Sequence, residues 1–125
     1  MRRYAAVALL LLAGCTADSG AATKAGTLTL ALAGGSPTDG AIVVLVSGGP
    51  VASVSAPGGY QVASNVDGEG THVMVLGNLA GGTLATISVP DISRASAYVA
   101  TVLQVSDRNS FGLLDPGPYH ITVHP

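Results

Sequence analysis

Gly26-Thr27-Leu28-Thr29-Leu30-Ala31-Leu32-Ala33 is the stretch on which the fold turns. Leu28, Leu30 and Leu32 alternate with Thr27, Thr29 and Ala31. Successive side chains of an extended chain point to opposite faces, so one set can be buried while the other stays wet. This predicts a half-buried strand. The next run, Ala41-Ile42-Val43-Val44-Leu45-Val46-Ser47, does not alternate. It is continuous and largely β-branched, which suits a central strand covered on both faces.

Further along, short apolar runs are separated by Gly, Pro, Asp and Asn every eight to twelve residues or so, the punctuation of an all-β sandwich or barrel. Strands are expected over 51–55 and 60–66, divided by the Pro57-Gly58-Gly59 turn. Two more, over 71–77 and 83–89, are joined through 78–82, a Gly-containing loop of hairpin length. Residues 119–123 close the domain, with Tyr119, Ile121 and Val123 on one face and His120, Thr122 and His124 on the other. Between Pro90 and Gly112 the chain lacks Gly and Pro, and Ile92, Ala95, Val99 and Val102 stand at helical spacing. Val99, Thr101, Val102 and Val105 are β-branched, however, and favour a strand. A helical turn over 91–95 followed by a strand over 97–106 reconciles the two, and how far 91–106 is helical stays open at this point. The fold class is all-β: an antiparallel sandwich of immunoglobulin-like or jelly-roll type with about eight strands.

The N-terminus is of another kind. Arg2 and Arg3 precede an apolar stretch from Ala5 to Leu12 that ends in small residues, the layout of a secretory signal. The run is too short to span a hydrocarbon core, which takes roughly 20 residues. Leu12-Ala13-Gly14-Cys15 resembles a bacterial lipobox. That resemblance implies cleavage before Cys15 and a lipid on its thiol, and two acyl chains suffice for stable anchoring. Cys15 is the sole cysteine, so no intramolecular disulfide can form although export would permit one. The expected organisation is a signal peptide over 1–14, a lipidated Cys15 with a small, polar tether to residue 25, and one folded domain over 26–125. The protein is thus expected to be exported and held at a bacterial membrane, with its folded domain outside the cytoplasm.

With the strands placed, the folded region resembles the cohesin-like sandwich, a relative of the carbohydrate-binding-module superfamily. The resemblance is carried by Asp39-Gly40-Ala41-Ile42-Val43-Val44-Leu45-Val46, by Val51-Ala52-Ser53-Val54, by the Gly-led strand Gly82 to Val89, and by Ala100 to Phe111 with its Asp107-Arg108-Asn109 turn. The domain is shorter than a typical cohesin and no dockerin-type calcium repeat accompanies it, so dockerin binding is not carried over.

Charge and residue chemistry narrow the function. Of 125 residues only 10% are charged, five basic against seven acidic, and without the leader the basic ones are Lys24, Arg94 and Arg108. Each phosphate contact needs its own cation, so nucleic acid is an unexpected partner. His120 and His124 share a strand face but lie about 13 Å apart in extended chain, too far to share a zinc ion. Asp67-Gly68-Glu69-Gly70 lacks the acidic series of a calcium loop and reads as a solvated hairpin tip. In Asp115-Pro116-Gly117-Pro118, a type II turn, the carboxylate is expected to serve the backbone. Gly-x-Ser-x-Gly, His-Glu-x-x-His and a helix-opening Gly-x-Gly-x-x-Gly are all missing from the sequence. No catalytic residue, metal ligand or cofactor is therefore assigned, and the chain is read as a non-enzyme.

Sugar platforms need exposed aromatic rings. The chain has no Trp, and Tyr98 and Tyr119 share faces with core residues, so Tyr60, beside Gly58 and Gly59, is the one candidate ligand contact. The expectation is a lipid-anchored envelope protein whose sandwich is a protein–protein interaction or scaffold module, helped by edge strands that few charges guard. A carbohydrate-binding module is the alternative.

Overall fold

The computed structural model describes residues 23–35 and 39–125. The leader, the lipobox and Cys15 lie outside the described residues. The strands are β1 (Gly26–Ala33), β2 (Asp39–Ser47), β3 (Ser53–Ser55), β4 (Gln61–Asp67), β5 (Gly70–Leu76), β6 (Gly82–Val89), β7 (Val99–Asp107), β8 (Leu113–Leu114) and β9 (His120–His124). They form two antiparallel sheets, a four-stranded one in the order β3-β6-β1-β9 and a five-stranded one in the order β4-β5-β2-β7-β8. The protein is a β-sandwich, as the punctuated apolar runs predict, with the two-residue β8 added to the expected eight strands.

Alternation builds the core. Leu28, Leu30 and Leu32 of β1 point inward, opposite Ile42, Val44 and Val46 of β2 and Val73 and Val75 of β5, and Leu84, Ile87 and Val89 complete the layer. Segment 91–106 divides much as its two periodicities suggest. Ile92–Ala97 is a 3₁₀ helix. The Asp91 carboxylate caps it by accepting a hydrogen bond from the Ser93 amide at 3.1 Å, which satisfies a donor the helix itself leaves free. Tyr98 ends it, buried in the core with its hydroxyl donating to the Pro50 carbonyl at 2.7 Å. The domain takes hold slightly before Gly26, because the Lys24 carbonyl accepts from the Ile92 amide at 2.8 Å.

Three expectations are corrected. Residues 78–82 do not close a hairpin: β5 and β6 belong to different sheets, so the loop crosses between layers, and Leu79 within it is buried in the core. The turn at Asp115 is shifted. Pro118 has no N–H to close a turn begun at Asp115, and the Tyr119 amide bonds the Pro116 carbonyl instead, at 3.0 Å. The Asp115 carboxylate still serves the backbone, accepting from the Gly117 amide at 3.1 Å. Finally, β2 is central in its sheet, but its burial alternates: Ile42, Val44 and Val46 are fully enclosed, while Ala41, Val43 and Leu45 are only half-buried.

One polar contact ties the two sheets. Asp39, at the start of β2, is 1% exposed, and the Tyr119 hydroxyl, just ahead of β9, donates to its Oδ2 at 2.8 Å.

Candidate interaction surface

The outer faces of the two sheets differ in chemistry. On the four-stranded sheet the inter-strand register sets Thr27, Ser88 and Ser53 side by side, and next to them Thr29, Thr86, Ser55 and His124. This is a hydroxyl face, and Ser53 donates to Ser88 across it at 2.9 Å. On the five-stranded sheet one row reads Gln61, Leu76, Ala41, Ser106, Leu113, the next Ala63, Met74, Val43, Gln104, and a third Asn65, His72, Leu45, Thr101. These rows contain no Asp, Glu, Lys or Arg. Carboxylates and a guanidinium stand only at the margins, with Asp67 at one end and Asp107 and Arg108 at the other.

Three shallow hollows run along this face. Ala41, Val43, Met74, Gln104 and Leu113 line one of about 150 Å³. Val43, Ala63, Asn65, His72 and Met74 line a second of the same size, and Gly40, Ala41, Leu76, Arg108 and Phe111 a third of about 130 Å³. Met74 and Leu76 are 41% and 39% exposed, Leu113 70% and Phe111 82%. The cause lies in β2 and in Val73-Met74-Val75-Leu76 of β5, where apolar residues occupy both phases of the strand, and only one phase meets the opposite sheet.

Phe111 is held at the margin by a local cage. The Asp107 carboxylate accepts from the Ser110 hydroxyl at 2.8 Å and the Ser110 amide at 3.3 Å, and the Phe111 amide donates to the Asp107 carbonyl at 2.9 Å. The Ser110 hydroxyl first, with the loop amides, holds the Asp107 carboxyl below the usual carboxylate range. The loop places Phe111 at φ 60°, the sole non-glycine among the described residues with a positive φ. That conformation crowds a Cβ against the following carbonyl and costs roughly 1–2 kcal/mol, and it leaves the ring in solvent.

The residues singled out in the sequence distribute as follows. Tyr60 is half-buried rather than exposed: its ring packs beside Gly77 and its hydroxyl donates to the Asn78 carbonyl at 3.1 Å. Among the described residues the exposed Phe or Tyr ring is that of Phe111. His120 and His124 lie on β9, an edge of the four-stranded sheet, while His72 lies on β5 of the other. His72 is brought instead to Asp67, Nδ1 to Oδ2 at 3.2 Å, and with Glu69 the three donor atoms lie within 4.8 Å of one another. Sequence spacing treats the acidic tip and His72 separately; pairing of Asn65 with His72 across the hairpin joins them. Two larger hollows open elsewhere, one of about 280 Å³ around Gly49, Asp91, Arg94 and Tyr98 and one of about 320 Å³ between β7 and β9. Among the described residues no helix is long and apolar enough to cross a membrane.

No family model matches the chain, and no curated protein or solved structure matches it.

Proposed function

We propose that the chain is a lipid-anchored protein of the bacterial cell envelope whose sandwich is a non-catalytic docking module for another envelope protein. The observation that carries this reading is the outer face of the five-stranded sheet, where rows without Asp, Glu, Lys or Arg bring Leu76, Ala41, Leu113, Ala63, Met74, Val43 and Leu45 together, against a Ser/Thr face on the other sheet. Contiguous exposed apolar surface with a polar margin is a mark of protein contact sites. The lipobox resemblance supports the anchoring and the cohesin-like pattern supports an interaction role. The edge of the same sheet adds to it. β4 has seven residues and a single charge, at Asp67, whereas the opposite edge strand β8 has only two residues; a long edge with so few charges accepts an added strand.

The test is site-specific photocrosslinking of the full-length protein in cells. A crosslinker replacing Leu113 captures one discrete protein, one replacing Thr29 on the hydroxyl face does not, and Met74→Lys suppresses the capture from Leu113. Equal labelling from both faces, or capture indifferent to Met74→Lys, overturns the reading. Retention of the protein on a polysaccharide, lost in Phe111→Ala, would replace it with carbohydrate binding.

A further inference from the structure

We infer that Asp67, Glu69 and His72 form a surface binding site for a borderline divalent cation of the zinc, cobalt, nickel or copper class. The inference does not depend on the docking reading, although His72 also lines one of the hollows of that face. It starts from the hairpin: β4 and β5 pair from Gln61↔Leu76 to Asp67↔Gly70, leaving Gly68 and Glu69 as the connection. Alternation along β4 puts Asp67 in phase with Asn65, which faces His72 across the strands, so the carboxylate and the imidazole emerge on the same side of the sheet. Their closest atoms are 3.2 Å apart. Four ligands placed tetrahedrally at zinc distances of 2.0–2.1 Å stand about 3.3 Å from one another, so this pair already has the spacing of two ligands on one ion.

Glu69 supplies the third donor. All three ligand atoms fall within 4.8 Å of one another, and Glu69 is exposed at the loop. The two oxygens of Asp67 have separate tasks: Oδ1 accepts from the Glu69 amide at 2.8 Å, which leaves Oδ2 to face His72. The donor set chooses the ion. An imidazole nitrogen with two carboxylates suits borderline transition ions, whereas calcium takes oxygen ligands. Three protein ligands leave coordination positions for water. Metal ligation takes carboxylates in the ionised form and imidazole in the neutral form, and two carboxylates then set a charge of −2 against the +2 of the ion.

The experiment is a zinc titration of the full-length protein in detergent, followed by calorimetry and by the ring resonances of the three histidines. It is done in a Cys15→Ser background so that unlipidated chain contributes no competing thiol. Expected is one zinc ion per chain, with the His72 ring perturbed and those of His120 and His124 unmoved. Loss of even an outer partner of a bound metal costs about 10–100-fold in affinity, so His72→Ala and Glu69→Gln, which each remove a direct ligand, weaken binding at least tenfold. Glu69→Gln changes an exposed loop side chain and keeps its size, so a loss there is not a folding defect. Calcium leaves the His72 ring unchanged. Binding that persists in His72→Ala, perturbation of His120 or His124 in place of His72, or no saturable binding overturns the proposal.

Discussion

Tyr119 is where single-residue chemistry bears most on stability. Its hydroxyl lies between the sheets on Asp39, and burial first, then the bond to that carboxylate and its charge, pushes the phenol up to about 12. Tyr119→Phe removes the donor from a buried carboxylate and costs about 1–3 kcal/mol, read as a lower urea midpoint at neutral pH. Because the folded-state value lies above the unfolded one, this group's contribution is whole below about pH 10 and is lost as pH rises through 12. The stability gap between wild type and Tyr119→Phe therefore narrows from pH 10 to 12, and a gap that stays constant would refute the assignment. Phe111 behaves in the opposite sense. At φ 60° a glycine relieves the crowded Cβ, so Phe111→Gly leaves the protein equally stable or up to about 1 kcal/mol more stable, while on the proposed docking reading crosslinked capture from Leu113 falls. A clear loss of stability in this variant would show that the ring is a packing residue.

At the scale of the element, β2 separates two roles that lie one residue apart. Val44 and Val43 are neighbours of one residue type, yet Val44 faces the opposite sheet and Val43 faces out. Val44→Ala opens a cavity and costs about 1–3 kcal/mol, toward the lower end of large-to-small core changes because only two methyl groups are removed. Val43→Thr keeps the β-branched shape on the outer face and costs less than about 1 kcal/mol. Equal losses measured by chemical denaturation would mean that the outer face is covered by the protein itself. The connection between β5 and β6 makes a similar point from a loop. Leu79→Ala costs about 2–5 kcal/mol, as for a core leucine, although the residue lies outside every strand, whereas Leu76→Ala, 39% exposed, costs clearly less.

For the whole molecule, the anchoring reading makes its own prediction. In the membrane fraction the mature N-terminal peptide of the wild type carries the mass of an acylated Cys15, and Cys15→Ser carries no such addition; equal masses apart from the substitution would end the claim. The sandwich itself was largely legible in the chain. Leu28, Leu30 and Leu32, the glycine-rich turns and the mixed periodicity of 91–106 report local backbone preference, and strand alternation is a property of neighbouring residues alone. Which strands share a sheet is not local. Only β4–β5 and β7–β8 are joined as hairpins, and every other connection crosses between the layers, so the loop 78–82, hairpin-like in length, spans the core with Leu79. The same limit hid the surface features. Continuous apolar runs in β2 and β5 announce two faces that avoid water, but the packing of the second sheet decides which face is left open. His72 meets Asp67 and Glu69 only through the cross-strand register. The sequence by itself determined the β architecture, its turns and the buried phase of β1, because these follow from periodicity along the chain. Tertiary structure alone decided the open apolar face, the Tyr119–Asp39 tie and the His72 cluster, because each depends on residues that are distant in sequence and adjacent only once the sheets have paired and packed.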